Sequence, residues 1–411
     1  MPGSVCMRIA WLLVVPVVFA ACGSAAEGGD GSSAEPAPEA TVSDPAVSAV
    51  TVEQVESSPV DVTVSGLDIG RGGSGDDAPE PLVDVDEIRS GGPPPDGIPP
   101  IDEPRFVATA EADFLADNEP VIALEIDGDA RAYPVQILTW HEIVNDTVGG
   151  VPVAVTYCPL CNSALTYDRR VDDRVLDFGT SGLLWNSALV MYDRQTESLW
   201  SHFTGTAVVG ELTGTELETF PSATVPWGLW RDEHPDGLVL SQDTGFNRSY
   251  GRNPYPGYDD VNSRPFLFEG EVDGRYTAMT RLVGVEIDGE ALGVPLQTLR
   301  DDRVVAAAVG DTDVVVFWQP GTASALDTAD IANGDDVGAT GVFLPVIDGQ
   351  ELTFAATDAG FVDDQTGSTW NLLGTALAGP LAGQQLAAIA HVDTFWFAWG
   401  AFRPDSAVVG S

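Results

Sequence analysis

The sequence predicts a mainly β, α+β protein: two tandem, diverged copies of an antiparallel, β-rich module with short helices. Three observations carry that expectation. Apolar runs are short and bounded by Gly, Asp or Asn, as strands joined by tight turns require. No long alternation of strand with helix occurs, which disfavours a doubly wound parallel sheet. The chain also repeats itself: Val121-Ile-Ala-Leu-Glu-Ile-Asp-Gly-Asp-Ala130 returns as Leu282-Val-Gly-Val-Glu-Ile-Asp-Gly-Glu-Ala291, at an offset of 161.

The same offset pairs Pro134, Gln136 and Leu138 with Pro295, Gln297 and Leu299. It then pairs Pro159, Ser163, Ala164 and Leu165 with Pro320, Ser324, Ala325 and Leu326. Beyond that the offset drifts, and Gly179 and Gly182 align with Gly338 and Gly341. Gln195-Thr196 and Trp200 align with Gln365-Thr366 and Trp370, and Trp227 and Trp230 with Trp396 and Trp399. The expected modules are residues 105–242 and 271–411, joined by a loop over 243–270.

Within the first module, Val121–Ile126 alternates and meets a second strand, Ala130–Pro134, across the hairpin turn Asp127-Gly128. Residues 135–144 have helical apolar spacing, with Ile137, Trp140, Ile143 and Val144 on one side. Thr147–Tyr157 reads as a hairpin around Gly149-Gly150. Short runs at Ala164–Tyr167, Leu189–Tyr192 and Ala207–Val209 complete the strand set.

Composition narrows the function classes. The 411 residues carry 63 acids against 18 bases, a formal net charge of −45, and every base is arginine. That excludes a phosphate-tracking nucleic-acid surface and a polybasic membrane patch. Residues 1–22 read as an export signal: one charge at Arg8, an apolar stretch from Ile9 to Phe19, then Ala20-Ala21-Cys22. The ending resembles a bacterial lipoprotein cleavage box, with Cys22 the lipidated residue. Residues 23–104 contain no Phe, Trp or Tyr and are rich in Gly, Ser, Pro and acids, so a disordered acidic tether is expected there. These readings place the protein outside a bacterial membrane, anchored by lipid.

The two copies differ in their polar residues. Cys158-Pro159-Leu160-Cys161 becomes Gln319-Pro320-Gly321-Thr322, and His141 becomes Asp302. His202 falls opposite Asn371 or Leu372. Residues present in one copy alone are the candidates for function. Two thiols at C-x-x-C spacing can exchange as a disulfide, or take one face of a soft or borderline ion with histidines completing the shell. They can also be an inert structural disulfide. The candidate metal or redox residues are therefore Cys158, Cys161, His141 and His202. Trp140, Glu142, Asn145 and Asp146 support His141, and copper or zinc is the expected ion.

Several strings resemble a known family: Trp140-His-Glu-Ile-Val-Asn-Asp146, Thr156-Tyr-Cys-Pro-Leu-Cys161, Phe178-Gly-Thr-Ser-Gly-Leu-Leu184, Val190-Met-Tyr-Asp-Arg194 and Ser198-Leu-Trp-Ser201. They are similar to the bacterial and archaeal domain-of-unknown-function family numbered 3179. The resemblance implies exported or membrane-anchored proteins and brings no reaction with it. It also implies Gln where this chain has His202, which moves the expected ligand role onto His141. The leading expectation is a cell-envelope metal-binding or thiol-redox lipoprotein. The alternatives are a structural lipoprotein that binds an envelope protein or small ligand, and a carboxylate-dependent hydrolase.

Overall fold

In each half a β-hairpin leads into a short helix and a second hairpin. The first half pairs Pro120–Ile126 with Asp129–Pro134, and the second pairs Arg281–Ile287 with Glu290–Pro295, all antiparallel. Both turns are Asp-Gly with positive φ at each residue (50° and 81°, 51° and 82°), the geometry that matches the twist of a two-residue hairpin. The computed structural model describes residues 79–410. The signal segment, Cys22 and the tether up to residue 78 lie outside the described residues.

Four seven-residue helices follow strands: α1 (Val135–His141), α2 (Trp227–Glu233), α3 (Leu296–Asp302) and α4 (Trp396–Phe402). None has a side-chain N-cap, so packing holds them: α2 buries Trp227 and Trp230, and α4 buries Trp396 and Trp399. The first helix is shorter than its apolar spacing suggests. Glu142 takes a positive φ of 60° and its N–H bonds Leu138 O at 2.7 Å, which caps the helix. Ile143 and Val144 then open a strand, Ile143–Val148, paired with Val151–Cys158.

Each half holds three main sheets. In the first half Ser163–Asp168 lies beside Val151–Cys158, and Phe178–Trp185, Ala188–Asp193, Leu199–Ser201 and Ala207–Val209 form a meander. In the second half Ala339–Phe343 takes the place beside Thr312–Gln319, and the meander is Phe354–Thr357, Gly360–Asp363, Thr369–Trp370 and Ala376–Ala378. Strand pairing is antiparallel except where Leu238–Leu240 and Ala407–Val408 run parallel to the second strand of their hairpins, and an isolated parallel bridge joins Ile101 to Val144.

This topology corrects one sequence alignment. Phe178 is paired with Asp193 as Phe354 is with Asp363, so Phe354–Thr357 is the counterpart of Phe178–Trp185. Gly338 and Gly341 are not the counterparts of Gly179 and Gly182. The offset misleads because residues 320–338 form an excursion where the first half has only the turn 159–162.

The halves interlock. One core cluster joins Cys158, Cys161, Tyr167, Phe178 and Trp200 to Phe395, Trp396 and Trp399. A second joins Trp227 and Trp230 to Phe317, Phe361 and Trp370. The second helix of each half, α2 or α4, therefore packs into the core that holds the meander of the other, while a further cluster around Val283, Val316 and Trp318 lies within the second half.

The expected tether also ends too late. Leu82 N–H bonds Val208 O at 2.9 Å, Arg89–Ser90 adds a strand to Phe178–Trp185, and Ile88 and Ile101 are buried. Aliphatic anchors fix residues 79–104 where aromatic ones are lacking. The connection over 241–280 has no helix or strand and crosses the first half's cysteine turn.

Candidate metal centre

The strand Val151–Cys158 reverses within residues 159–162 and returns as Ser163–Asp168, with Cys158 opposite Ser163. Asn162 closes this turn with φ 53° and an N–H bond to Pro159 O at 3.3 Å. Tight reversal puts both cysteines of the motif at one strand end, facing the core. Both are free thiols, and both are buried. Cys161 Sγ lies 2.8 Å from Ser163 Oγ.

His202 arrives from the meander. Its backbone N–H bonds Leu189 O at 3.1 Å, and its carbonyl accepts Tyr167 Oη at 2.7 Å. The ring is fully buried, and neither nitrogen has a hydrogen-bond partner. The ligand atoms of Cys158, Cys161 and His202 all lie within 4.8 Å of one another. Among the described residues this is the one group of three or more Cys, His, Asp or Glu so arranged.

Electrostatics separate the two thiols. Burial pushes Cys158 up, but hydrogen bonds from the Cys161 side chain and from the backbone of Cys161, Leu189 and Leu160 outweigh it, and the net direction is down. Burial, then the Cys158 side chain and its charge, drives Cys161 well above an ordinary thiol. Burial alone pushes His202 down to about 3, so the ring is neutral and offers a lone pair. Glu142, also buried, has its carboxyl driven up by desolvation and then by the charge of Cys158.

The second half and the connection close the site. Thr394 Oγ1 and Phe395 N–H bond Cys161 O at 2.8 and 3.2 Å. Tyr258 Oη donates to Leu160 O at 3.0 Å and accepts from Phe266 N–H at 3.2 Å.

With this geometry in view, the profile of a protein family described as "Protein of unknown function (DUF3179)" matches residues 95–406. The chain belongs to this family. No curated protein and no solved structure matches it. Membership in DUF3179 assigns no reaction, so the chemistry has to come from the residues.

The expected ligand set is rearranged. His202 stands with the cysteines, whereas His141 does not: its Nδ1 lies 2.6 Å from Pro99 O and its Nε2 2.7 Å from Tyr250 Oη. The predicted supports also work elsewhere. Asn145 bonds Asp102 and both backbone groups of Phe178, Asp146 holds Arg131 and Tyr133, and Trp140 Nε1 reaches Arg252 O. The physical reason is the early end of α1, which puts Asn145 and Asp146 on a strand and not one helical turn below His141.

Sequence reasoning missed Ser163, Thr394 and Tyr258, which touch the turn through long-range contacts. For His202 a signal existed. Ser201 N–H bonds Thr206 O as Asn371 N–H bonds Thr375 O, so the counterpart of His202 is the buried Leu372. A core position that holds leucine in one half and an unpaired imidazole in the other marks the odd residue.

Proposed function

We propose that this protein carries a buried metal centre of two cysteine sulfurs, Cys158 and Cys161, and one imidazole, His202. One observation carries the reading: a fully buried imidazole with no hydrogen-bond partner beside two free thiols. A buried polar atom left unsatisfied costs about 1–3 kcal/mol, and a bond from an imidazole nitrogen to an ion removes one such cost. The second nitrogen lacks the carboxylate or carbonyl that orients most histidine ligands. Thiolate and imidazole donors suit copper or zinc and not magnesium or calcium. Three protein donors leave one position of a tetrahedral shell unassigned.

A thiol-redox role has one observation in its favour, the opposite shifts of Cys158 and Cys161. Burial of both sulfurs, with Tyr258 of the connection bonded to the turn between them, favours the metal reading. We further infer that the body is exported and held to the outer face of a bacterial membrane by lipid on Cys22. The export-signal pattern of residues 1–22 supports this. Among the described residues no helix is long and apolar enough to cross a membrane.

Metal content of the full chain, purified under reducing conditions and loaded with zinc or copper(I), tests the centre. One equivalent per chain is expected, lost in Cys158→Ser and in Cys161→Ser. Unchanged metal content in both variants would sink the proposal. For the anchor, Cys22→Ser should release the protein from membranes into the soluble fraction, and retention would contradict it.

A further inference from the structure

Among the buried acids of the described residues, Glu142 stands apart. Glu119 accepts from Ala116 N–H and Gln136, Asp146 holds Arg131, Asp168 holds Arg170, and Asp193 and Asp363 accept from their tryptophans. Glu142 is 8% exposed, and no hydrogen bond or cation offsets its burial and the charge of Cys158. We propose that Glu142 positions the fourth ligand of the ion held by Cys158, Cys161 and His202, and that this ligand is a hydrogen-bond donor: a water, an alcohol or an amine. The proposal rests on that metal centre.

The backbone at this position is common to both halves. Glu142 ends α1 with φ 60°, and its carbonyl accepts Tyr157 N–H at 2.8 Å, beside the strand end that carries Cys158. Arg303 ends α3 with φ 61°, and its carbonyl accepts Trp318 N–H at 2.9 Å. The positive φ therefore serves the helix end, and the side chain is what differs. Arg303 donates to Thr357 O at 2.7 Å, whereas the carboxyl of Glu142 has nothing equivalent. The charge of Cys158 acts on Glu142 and on Tyr255, and that of Glu142 on Tyr255, so the three share one region.

His202 and Glu142 are thus two unpartnered groups by one cysteine pair. The ion satisfies the imidazole, and a donor bound to the ion satisfies the carboxyl. Glu142 stands outside the group whose ligand atoms lie within 4.8 Å of one another, so it is not a fourth direct donor in this geometry. A metal–oxygen bond followed by an O–H···O⁻ bond spans about 4.5–5 Å, which one bridging water fills. A divalent ion on the sulfurs also cancels the charge of Cys158, which favours the carboxylate, an acceptor on both oxygens. Anions are then repelled from the fourth position.

Cobalt(II) in place of zinc reports on that position, and azide is a small anion that competes for it. In the full chain loaded with one equivalent of cobalt, Glu142→Gln removes the charge and keeps the shape. It should bind azide about tenfold more tightly than the parent, and its visible bands without azide should shift. Glu142→Asp keeps the charge and should stay close to the parent. The control, Glu119→Gln, neutralises a second buried carboxyl and should change neither reading. Cobalt that still requires both cysteines, with azide affinity and bands unchanged in Glu142→Gln, overturns this inference and leaves the centre standing. Loss of cobalt from Glu142→Gln and Glu142→Asp alike would make the residue structural and overturn it too. Cobalt content unchanged in Cys158→Ser and Cys161→Ser would overturn the centre and this inference together.

Discussion

The two halves diverge most where the first carries its cysteines. In the first half, the turn 159–162 is closed by Asn162 N–H on Pro159 O and sets Cys158 opposite Ser163. In the second half the chain leaves the corresponding strand on the excursion 320–338. There the N–H groups of Gly321, Thr322 and Gly338 converge on the carboxylate of Asp336 at 2.8–3.2 Å. A cluster of backbone donors wants an anion, and in the second half Asp336 supplies it, where the first half carries a pair of thiols. Away from that turn the halves agree in detail. Asp193 accepts from Thr196 and Trp200 Nε1, and Asp363 accepts from Thr366 and Trp370 Nε1. Ser198 Oγ accepts Leu212 N–H, and Ser368 Oγ accepts Leu381 N–H, each at 3.0 Å. What is shared serves the fold, and three unshared residues, Cys158, Cys161 and His202, gather at one buried point.

The comparison can be broken most forcefully by moving the odd residue. Leu372→His puts an imidazole into the second half's core with no thiols beside it. Loss of apolar burial plus an unpaired polar group should cost about 3–5 kcal/mol in chemical denaturation. A neutral result would show that a partnerless histidine is harmless there, and would remove its weight as a marker of a metal site.

Next in size, Asp193→Ala and Asp363→Ala should each cost about 2–3 kcal/mol, because each strands a buried indole N–H and removes the acceptor of a threonine N–H. Their similarity is the point: a much larger loss of metal binding from Asp193→Ala than its stability cost explains would give that aspartate a functional role. His202→Leu copies the second half into the first. Without metal it should raise stability by about 1–2 kcal/mol, since it removes an unsatisfied ring from the core. In metal-loaded protein the order should invert.

The smallest effect concerns acid. Burial pushes the carboxyl of Asp363 up, but hydrogen bonds from Trp370, Thr366 and Ser368 outweigh it and hold it below the ordinary value. A carboxylate lowered in the folded state adds stability above its unfolded pKa of about 3.9, and that share is lost as pH falls through the folded value. Trp370→Phe removes one donor, so its urea midpoint should fall less between pH 5 and pH 3 than that of the parent, on top of a lower start. An unchanged acid dependence would show that the indole contributes little to the shift.

Much of the architecture was legible in the sequence because its signals are local. The Asp-Gly turns, the alternation in Val121–Ile126 and the repeat at offset 161 each lie within short windows. The cysteine pair was legible for the same reason. What was not legible depends on contacts between residues far apart in the chain. Tyr258 and Thr394 reach Cys161's turn only because the halves interlock, and Ile101 joins the body only because it pairs beside Ile143 and Asn145. The emphasis on His141 failed on a local detail, the positive φ at Glu142, which turned an expected helical face into a strand.

X-ray absorption at the zinc edge of the loaded full chain tests the central claim most directly. The account predicts a first shell with two sulfurs at about 2.3 Å and one imidazole nitrogen at about 2.0 Å, the imidazole signature being lost in His202→Leu. A shell of oxygen and nitrogen alone, or one unchanged in His202→Leu, would contradict it.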